Sequence, residues 1–390
     1  MLLKTGHGLL GGRRDSKQEI GLYQIMQRIP VQNPNGSPAM PTKSSRARKW
    51  LESGKAIGKW SDCGQFYLQL TTEPSGYATQ DIVIGIDPGK LYSGIGVQSA
   101  KFTHYTAHLI LPFQTVRDRM DVRRLMRRGR RGRRIDRKTS FAKRAHRQKR
   151  FSNRRTSRLA PSIRANRQLE LRIVAELNQL YPVTEIRYEY VRADVDLTSG
   201  RKRARSGKGF SAVMVGQRWM LQQLKRFAPV VAIEGWQTAS IRRYLGLEKN
   251  KTDKSKPEFA THAVDGVAIA ASGFIQYREW HGANERGSNW FGSVEITSAT
   301  FKVVRRPPYS RRQLHLMIPA KGAVRRKYGG TTTRHGFRKG DLVNSPKGIG
   351  YVSGDTHKQI SVSDSNWKRL GQITASKVTL LRRSTGLVVA

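Results

Sequence analysis

Cysteine is almost missing from this 390-residue chain, with Cys63 its single thiol. That excludes an internal disulfide framework and a cysteine-based zinc finger, and it fits a reducing cytoplasm. No apolar run approaches the roughly 20 residues that span a bilayer. Residues 1–25, MLLKTGHGLLGGRRDSKQEIGLYQI, are too broken by charge and glycine for a signal peptide and read as a tail or extension of uncertain origin. Acids are scarce as well: 27 Asp and Glu face 73 Lys and Arg, a formal net charge of +46. Hydrophobic content, 37%, is low for a self-sufficient globule.

A charge of +46 repels itself in any compact monomer, and a polyanion that stays bound is the simplest remedy. No amphipathic basic helix or lipidation signal points to a membrane surface instead. Nucleic acid is therefore the expected partner.

Residues 27–42 read as a strand, an Asn-Pro-Asn-Gly turn and a Pro-bounded loop, followed by a short helix, ARKWLESG, capped by Ser44 or Ser45 and ended by Gly54. FYLQL (66–70), DIVIGID (81–87), GIGVQS and THYTAHLIL read as strands. Between Arg123 and Arg158 stand eighteen Lys or Arg and one acid, Asp136. Phe141, Ala142, Ala145 and Phe151 interrupt the charges at near-helical spacing, so the run reads as a phosphate-clamping helix, regular after Gly129 and Gly132. Pro161 opens an amphipathic helix with Leu169, Ile173, Leu177 and Leu180 on one stripe, and TEIRYEYV (184–191) alternates as a strand. A basic loop (201–209), a helix near 217–227, the strand VVAIEGW and a polar linker (249–256) lead to a helix, THAVDGVAIAAS, capped by Thr261. From Phe337 onward, short strands alternate with KGD, PKG, SGD and SDS turns, as in a small antiparallel β-barrel.

Four positions could carry chemistry. Asp87 ends a hydrophobic strand, where its carboxylate is expected to be exposed, and Glu189 lies on the strand face opposite Ile186, Tyr188 and Tyr190. His262 and Asp265 are one helical turn apart. Converging on one sheet, three carboxylates and an imidazole make a hard, oxygen-rich site for Mg²⁺ or Mn²⁺. Such sites hydrolyse phosphodiesters with two ions, one activating water and one stabilising the leaving 3′ oxygen. Each residue alone has a plain structural reading as a turn, strand or cap residue.

The ordered set of motifs carries more information than any one of them. GIDPG (85–89), the Arg-rich run, RFSNRR (150–155), PSIRANR (161–167), the strand with Glu189 and HAVDG (262–266) resemble the split RuvC core of the IscB and IsrB families of transposon-encoded, RNA-guided nucleases. NGSPAMPT with SRARKWLESGKA resembles their N-terminal PLMP domain, though Ala39 stands where leucine is usual. RRPPYSRRQLH and FRKGDLV resemble their RNA-contacting and target-adjacent-motif-reading parts. No histidine lies between His146 and His262, so an inserted HNH nuclease is not expected and the HNH-less IsrB branch is the nearer resemblance.

The resemblance implies an RNase H-like α/β fold and a domain series: a PLMP-like domain (26–76), RuvC segment I (80–120), the bridge helix (121–160), RuvC segment II (161–257), RuvC segment III (258–298), a guide-RNA-contacting region (299–336) and a β domain (337–390). It places the catalytic and metal-ligating residues at Asp87, Glu189, His262 and Asp265, with two Mg²⁺ ions as cofactor. Nucleic acid would be held by Arg123, Arg124, Arg127, Arg128, Arg130, Arg131, Arg133, Arg134, Arg137, Lys143, Arg144, Arg147, Arg150, Arg154 and Arg155 of the bridge. Arg305, Arg306, Arg311, Arg312, Arg338 and Lys339 would extend that surface. The implied partners are a long structured guide RNA and target double-stranded DNA, in a prokaryotic cytoplasm, with a monomeric protein and no membrane. Two other classes fit part of the pattern: a catalytically silent RNA-binding protein, and a structure-specific RuvC-type junction resolvase.

Overall fold

The run IVIGID can bury both faces, and it becomes an interior strand of the largest sheet in the computed structural model, which describes residues 27–133, 138–140, 142, 159–191, 212–281, 286–308 and 335–390. In chain order its strands are β5 (Ile82–Asp87), β6 (Tyr92–Ser99), β7 (Thr103–Ile110), β8 (Glu185–Glu189), β9 (Val230–Ile233), β12 (Phe301–Arg305) and β18 (Val388–Val389). They lie side by side as β18-β12-β7-β6-β5-β8-β9. β5, β6 and β7 form an antiparallel meander, whereas β8 and β9 run parallel to β5. The sheet is thus mixed.

The alternation of β5 divides its work between two faces. Ile82, Ile84 and Ile86 are fully buried in the main core with Leu169, Ile173 and Leu177 of α3 (Pro161–Leu180) and with Met220 and Leu224 of α4 (Ala212–Leu224). The other face carries Gly85 and Asp87. There α6 (Val264–Ala271) packs almost backbone to backbone: a Cβ on Gly85 would lie 2.1 Å from the Gly266 carbonyl oxygen, and one on Gly96 would lie 2.5 Å from the Val267 nitrogen. Glycine at these positions is a packing requirement, because any side chain would displace the helix.

The N-terminal unit is a four-stranded sheet, β2-β1-β4-β3, with α1 (Ser44–Glu52) against it. Here β1 is Arg28–Gln32, β2 Pro38–Lys43, β3 Ala56–Trp60 and β4 Phe66–Leu70. The Pro-bounded stretch expected as a loop is strand β2. Its prolines are tolerated because β2 is an edge, with only β1 as neighbour. Helix α2 (Phe113–Arg133) also departs from expectation: it begins well before the Arg-rich run, and Gly129 and Gly132 fall in its last turns rather than ahead of it. The run beyond 142, the basic loop 201–209 and residues 309–334 lie outside the described residues.

Strands β13 (Leu342–Asn344), β14 (Gly350–Asp355), β15 (Gln359–Ser363), β16 (Arg369–Thr374) and β17 (Thr379–Arg382) form an antiparallel sheet in the order β16-β15-β14-β13-β17. Among the described residues no ladder joins β16 to β17, so hydrogen bonding does not close the expected barrel. Strand β12, inside the region taken as RNA-contacting, pairs with β7, and the C-terminal β18 pairs with β12. The last residues of the chain therefore complete the central sheet, with Leu387 buried in the main core.

Candidate active site

The site is built where β5 and β8 end side by side. Parallel pairing of the two strands sets Ile86 opposite Tyr188, which places Asp87 and Glu189 next in line at the same edge. The close packing of α6 on Gly85 and Gly96 delivers His262 and Asp265 to that edge. A Cβ on Gly94 would lie 1.8 Å from the His262 carbonyl oxygen, so the turn ahead of α6 rests directly on β6. That turn is a π-helical segment, Phe259–Ala263, and Glu258 precedes it in extended conformation. Thr261 does not cap the helix as expected. Its hydroxyl lies 3.0 and 2.7 Å from the carbonyl oxygens of Lys256 and Glu258, and 3.1 Å from Nδ1 of buried His108.

His262 Nδ1 lies 3.3 Å from Asp87 Oδ2, and His262 Nε2 is buried without a hydrogen-bond partner among the described residues. The rings of Tyr92 and His108 flank His262 at 5.6 and 5.3 Å between centroids. Asp87 is largely enclosed, with 15% of its side chain exposed, contrary to the open carboxylate expected at a strand end. Burial, then the facing Asp87 and Asp265 carboxylates, push the Glu189 carboxyl up to about 8. Burial also raises the pKa of Asp265, with Asp87 adding to the rise and Lys249 and Arg242 opposing it.

Sequence reasoning missed these two cations. Lys249, placed in a plain linker, forms an ion pair with Asp265 Oδ2, and Arg242 Nε lies 2.6 Å from Oδ1 without hydrogen-bond alignment. Arg242 comes from α5 (Gly235–Tyr244), which packs on α6. No local pattern marks either residue, since the contact exists only once both elements dock on α6.

A second missed group holds the turn that follows Asp87. Arg167 Nη1 donates to both carboxylate oxygens of Glu170, at 2.9 and 2.7 Å, and to the Tyr188 hydroxyl at 3.0 Å. Its Nη2 donates to the Gly89 carbonyl at 2.8 Å, and Asn166 Nδ2 donates to the Lys90 carbonyl at 2.8 Å. The Ser93 hydroxyl donates to the Asp87 main-chain oxygen at 2.6 Å and lies 2.9 Å from Glu170 Oε1. PSIRANR thus opens α3 and also ties the Asp87 turn to it. The signal for this was a charged pair, Arg167 and Glu170, on the buried side of an amphipathic helix.

Among the described residues no three His, Cys, Asp or Glu side chains stand close enough together to hold a metal ion. The donor types nevertheless suit a hard divalent cation: two mutually repelling carboxylates, Asp87 and Glu189, and a buried, unpartnered imidazole nitrogen. Asp265 would have to exchange Lys249 and Arg242 for the ion.

Of the expected nucleic-acid contacts, Arg123, Arg124, Arg127 and Arg128 are exposed on α2, where Arg124 pairs with Asp121 at 3.3 Å. Arg130, Arg131 and Arg133 lie in its last turns. Arg305 sits half-buried in β12 with its Nη2 enclosed, and burial lowers its pKa. Arg306 follows it directly. Arg338 is exposed, and Lys339 Nζ lies 5.7 Å from the centre of the Trp367 ring. Arg134, Arg137, Lys143, Arg144, Arg147, Arg150, Arg154, Arg155, Arg311 and Arg312 lie outside the described residues. No described helix is long and apolar enough to cross a membrane.

Residues 29–209 match the signature of the family described as RRXRR protein. No curated protein matches the chain. Among solved structures, the chain is similar to T. thermophilus RuvC in complex with Holliday junction substrate, at 15% identity and a TM-score of 0.26, over 50% of this chain and 92% of that one. A Thermus thermophilus RuvC structure matches at 13% identity and a TM-score of 0.25, over 49% of this chain and 92% of that one. A CRISPR-Cas12f ternary complex seen by cryo-EM matches at 15% identity and a TM-score of 0.28, over 59% of this chain and 49% of that one.

Proposed function

We propose that this chain is an RNA-guided DNA nickase with a single RuvC-type, RNase H-like active site formed by Asp87, Glu189, His262 and Asp265. The observation that carries the reading is the delivery of His262 and Asp265, by glycine-packed α6, to the strand edge where Asp87 and Glu189 end side by side. The match of residues 29–209 to the RRXRR family and the net charge of +46 support it.

Asp87 and Glu189 would hold Mg²⁺ together with Asp265 and the His262 imidazole. When bound, divalent cations activate water and stabilise the leaving oxygen of a phosphodiester. The chain's own groups do the rest. Asp87 fixes the His262 ring through Nδ1, and the enclosed site limits free water around the scissile phosphate. Hydrolysis forms one phosphorus–oxygen bond to water and breaks the bond to the 3′ oxygen. Exposed α2 arginines would grip RNA phosphate, and the β13–β17 sheet would read the duplex beside the target. With one site, one strand is cut: the strand displaced by guide pairing.

A silent nucleic-acid-binding protein is the second reading, favoured by the hold of Lys249 and Arg242 on Asp265. One experiment separates the two. Supercoiled target plasmid, Mg²⁺ and the protein with its copurifying RNA should yield open circles broken in the non-target strand. EDTA or Asp87→Ala should abolish the product while guide-dependent DNA binding stays within about two-fold. Intact plasmid with the wild-type complex, or undiminished nicking by Asp87→Ala, refutes the proposed site.

A further inference from the structure

Beside the carboxylates lies a row of aromatic rings that nothing above uses. Trp236 opens α5 directly after Gly235, and a Cβ on Gly235 would lie 2.8 Å from Glu189 Oε1. The Trp236 ring meets Tyr277 at 5.6 Å between centroids, and Tyr277 meets Trp290 at 5.2 Å. Tyr277 and Trp290 face each other across the hairpin of β10 (Gln276–His281) and β11 (Arg286–Phe291). Trp290 is buried, and its indole nitrogen donates to Ser240 Oγ at 3.1 Å, which pins the hairpin to α5. The other two rings stay open: Trp236 is 53% exposed and Tyr277 39%.

From this juxtaposition we infer that Trp236 and Tyr277 form a stacking platform for the unpaired bases of the DNA strand entering the active site. The inference rests on the nuclease reading and names how that site selects single-stranded substrate. Isolated exposed aromatics are common, but adjoining rings whose first member follows a glycine packed against a candidate catalytic carboxylate are a patch in a functional place. The rings are also pre-set. Trp236 Nε1 donates to Glu234 Oε2 at 2.9 Å, and a capping box of Glu234 and Gln237 fixes the start of α5. Order held in advance lowers the entropy lost on binding.

Charge complementarity selects nucleic acid over an apolar protein partner. Arg243 is exposed two helical turns along α5 from Trp236, in a chain of net charge +46. Stacking then selects single strands, because a duplex already pairs and stacks its base faces, whereas an unpaired strand offers them to aromatic side chains. A base on Trp236 would bring its own backbone toward Asp87 and Glu189.

The test uses the full-length protein carrying Asp87→Ala, so that bound DNA is not consumed, and fluorescence anisotropy with an oligothymidylate probe and a duplex of equal length. Adding Trp236→Ala or Tyr277→Ala should weaken single-strand binding about ten-fold each, with duplex binding changed less than two-fold. Trp236→Phe, which keeps a stacking face, should recover most of the affinity. The slope of affinity against salt should not change, because no phosphate contact has been removed. Unchanged single-strand affinity in both alanine variants, or an equal loss for duplex, overturns the platform, and wild-type nicking would then leave the nuclease reading standing. Conversely, a selective single-strand loss in a protein whose wild type never nicks supports the platform and removes the catalytic reading.

Discussion

Arg167 and Glu170 offer a separation of stability from activity that follows from their burial. Their side chains are 4% and 0% exposed, so replacing Arg167 by Met strands the Glu170 carboxylate in the core. Breaking a buried pair in this way costs about 3–5 kcal/mol, a large share of the roughly 5–15 kcal/mol that holds a typical domain. The double variant Arg167→Met/Glu170→Leu removes both charges, and buried pairs replaced by apolar groups are often neutral or better. It should therefore regain most of the lost stability. Activity should not return with it, because the bond from Arg167 Nη2 to the Gly89 carbonyl, which anchors the Asp87 turn, is missing from both variants. A lone Arg167→Lys should fall between, since a point charge cannot replace a fork that spans Glu170, Tyr188 and Gly89 at once. Urea unfolding midpoints and plasmid nicking, measured side by side, read the two effects. A double variant as unstable as the single one, or one that nicks at the wild-type rate, would refute the reasoning.

Three other outcomes follow. Gly96→Ala sets a Cβ 2.5 Å from backbone that cannot yield, so α6 must lift; overpacking of about 1–3 kcal/mol should accompany loss of nicking with RNA retention unchanged, and a fully active variant would contradict the packing. Removing only Leu387–Ala390 should lower the thermal midpoint, since it takes β18 and a buried leucine from the central sheet; an unaltered midpoint would show that the C-terminus is dispensable. Burial depresses His104 to about 3, so it stays neutral when folded and protonates when unfolded. Its share of stability is complete above about pH 6.5 and falls by about 1.4 kcal/mol per pH unit as the pH drops toward 3. His104→Asn should flatten the acid limb of a pH–stability curve, and an identical limb would refute the assignment.

How much of this was legible beforehand depends on the range of the contact involved. Strands β5 and β8 and helix α3 announced themselves because their apolar spacing reports which face is buried, whatever lies opposite. The four candidate site residues could be named from the order of their motifs, and the glycines of GIDPG and HAVDG were visible as letters. Their purpose was not, because a glycine shows what it permits only when another backbone arrives against it, as Gly266 does at Gly85. Strand β2 was masked by prolines that an edge position tolerates.

The residues that pair across long distances could not be read at all. β12 and β18 join the sheet through partners far away in the chain, and their short segments carry no periodic signal of their own. Lys249, Arg242 and the Trp236 row likewise take their meaning from docking on α6 and the β10–β11 hairpin. Composition and periodicity alone determined that this is a strongly basic chain containing both helices and strands, because charge and local burial are properties of the residues themselves. The tertiary structure decided which carboxylates meet, which cations answer them and which aromatics stay open beside them, because those are properties of pairs that only folding brings together.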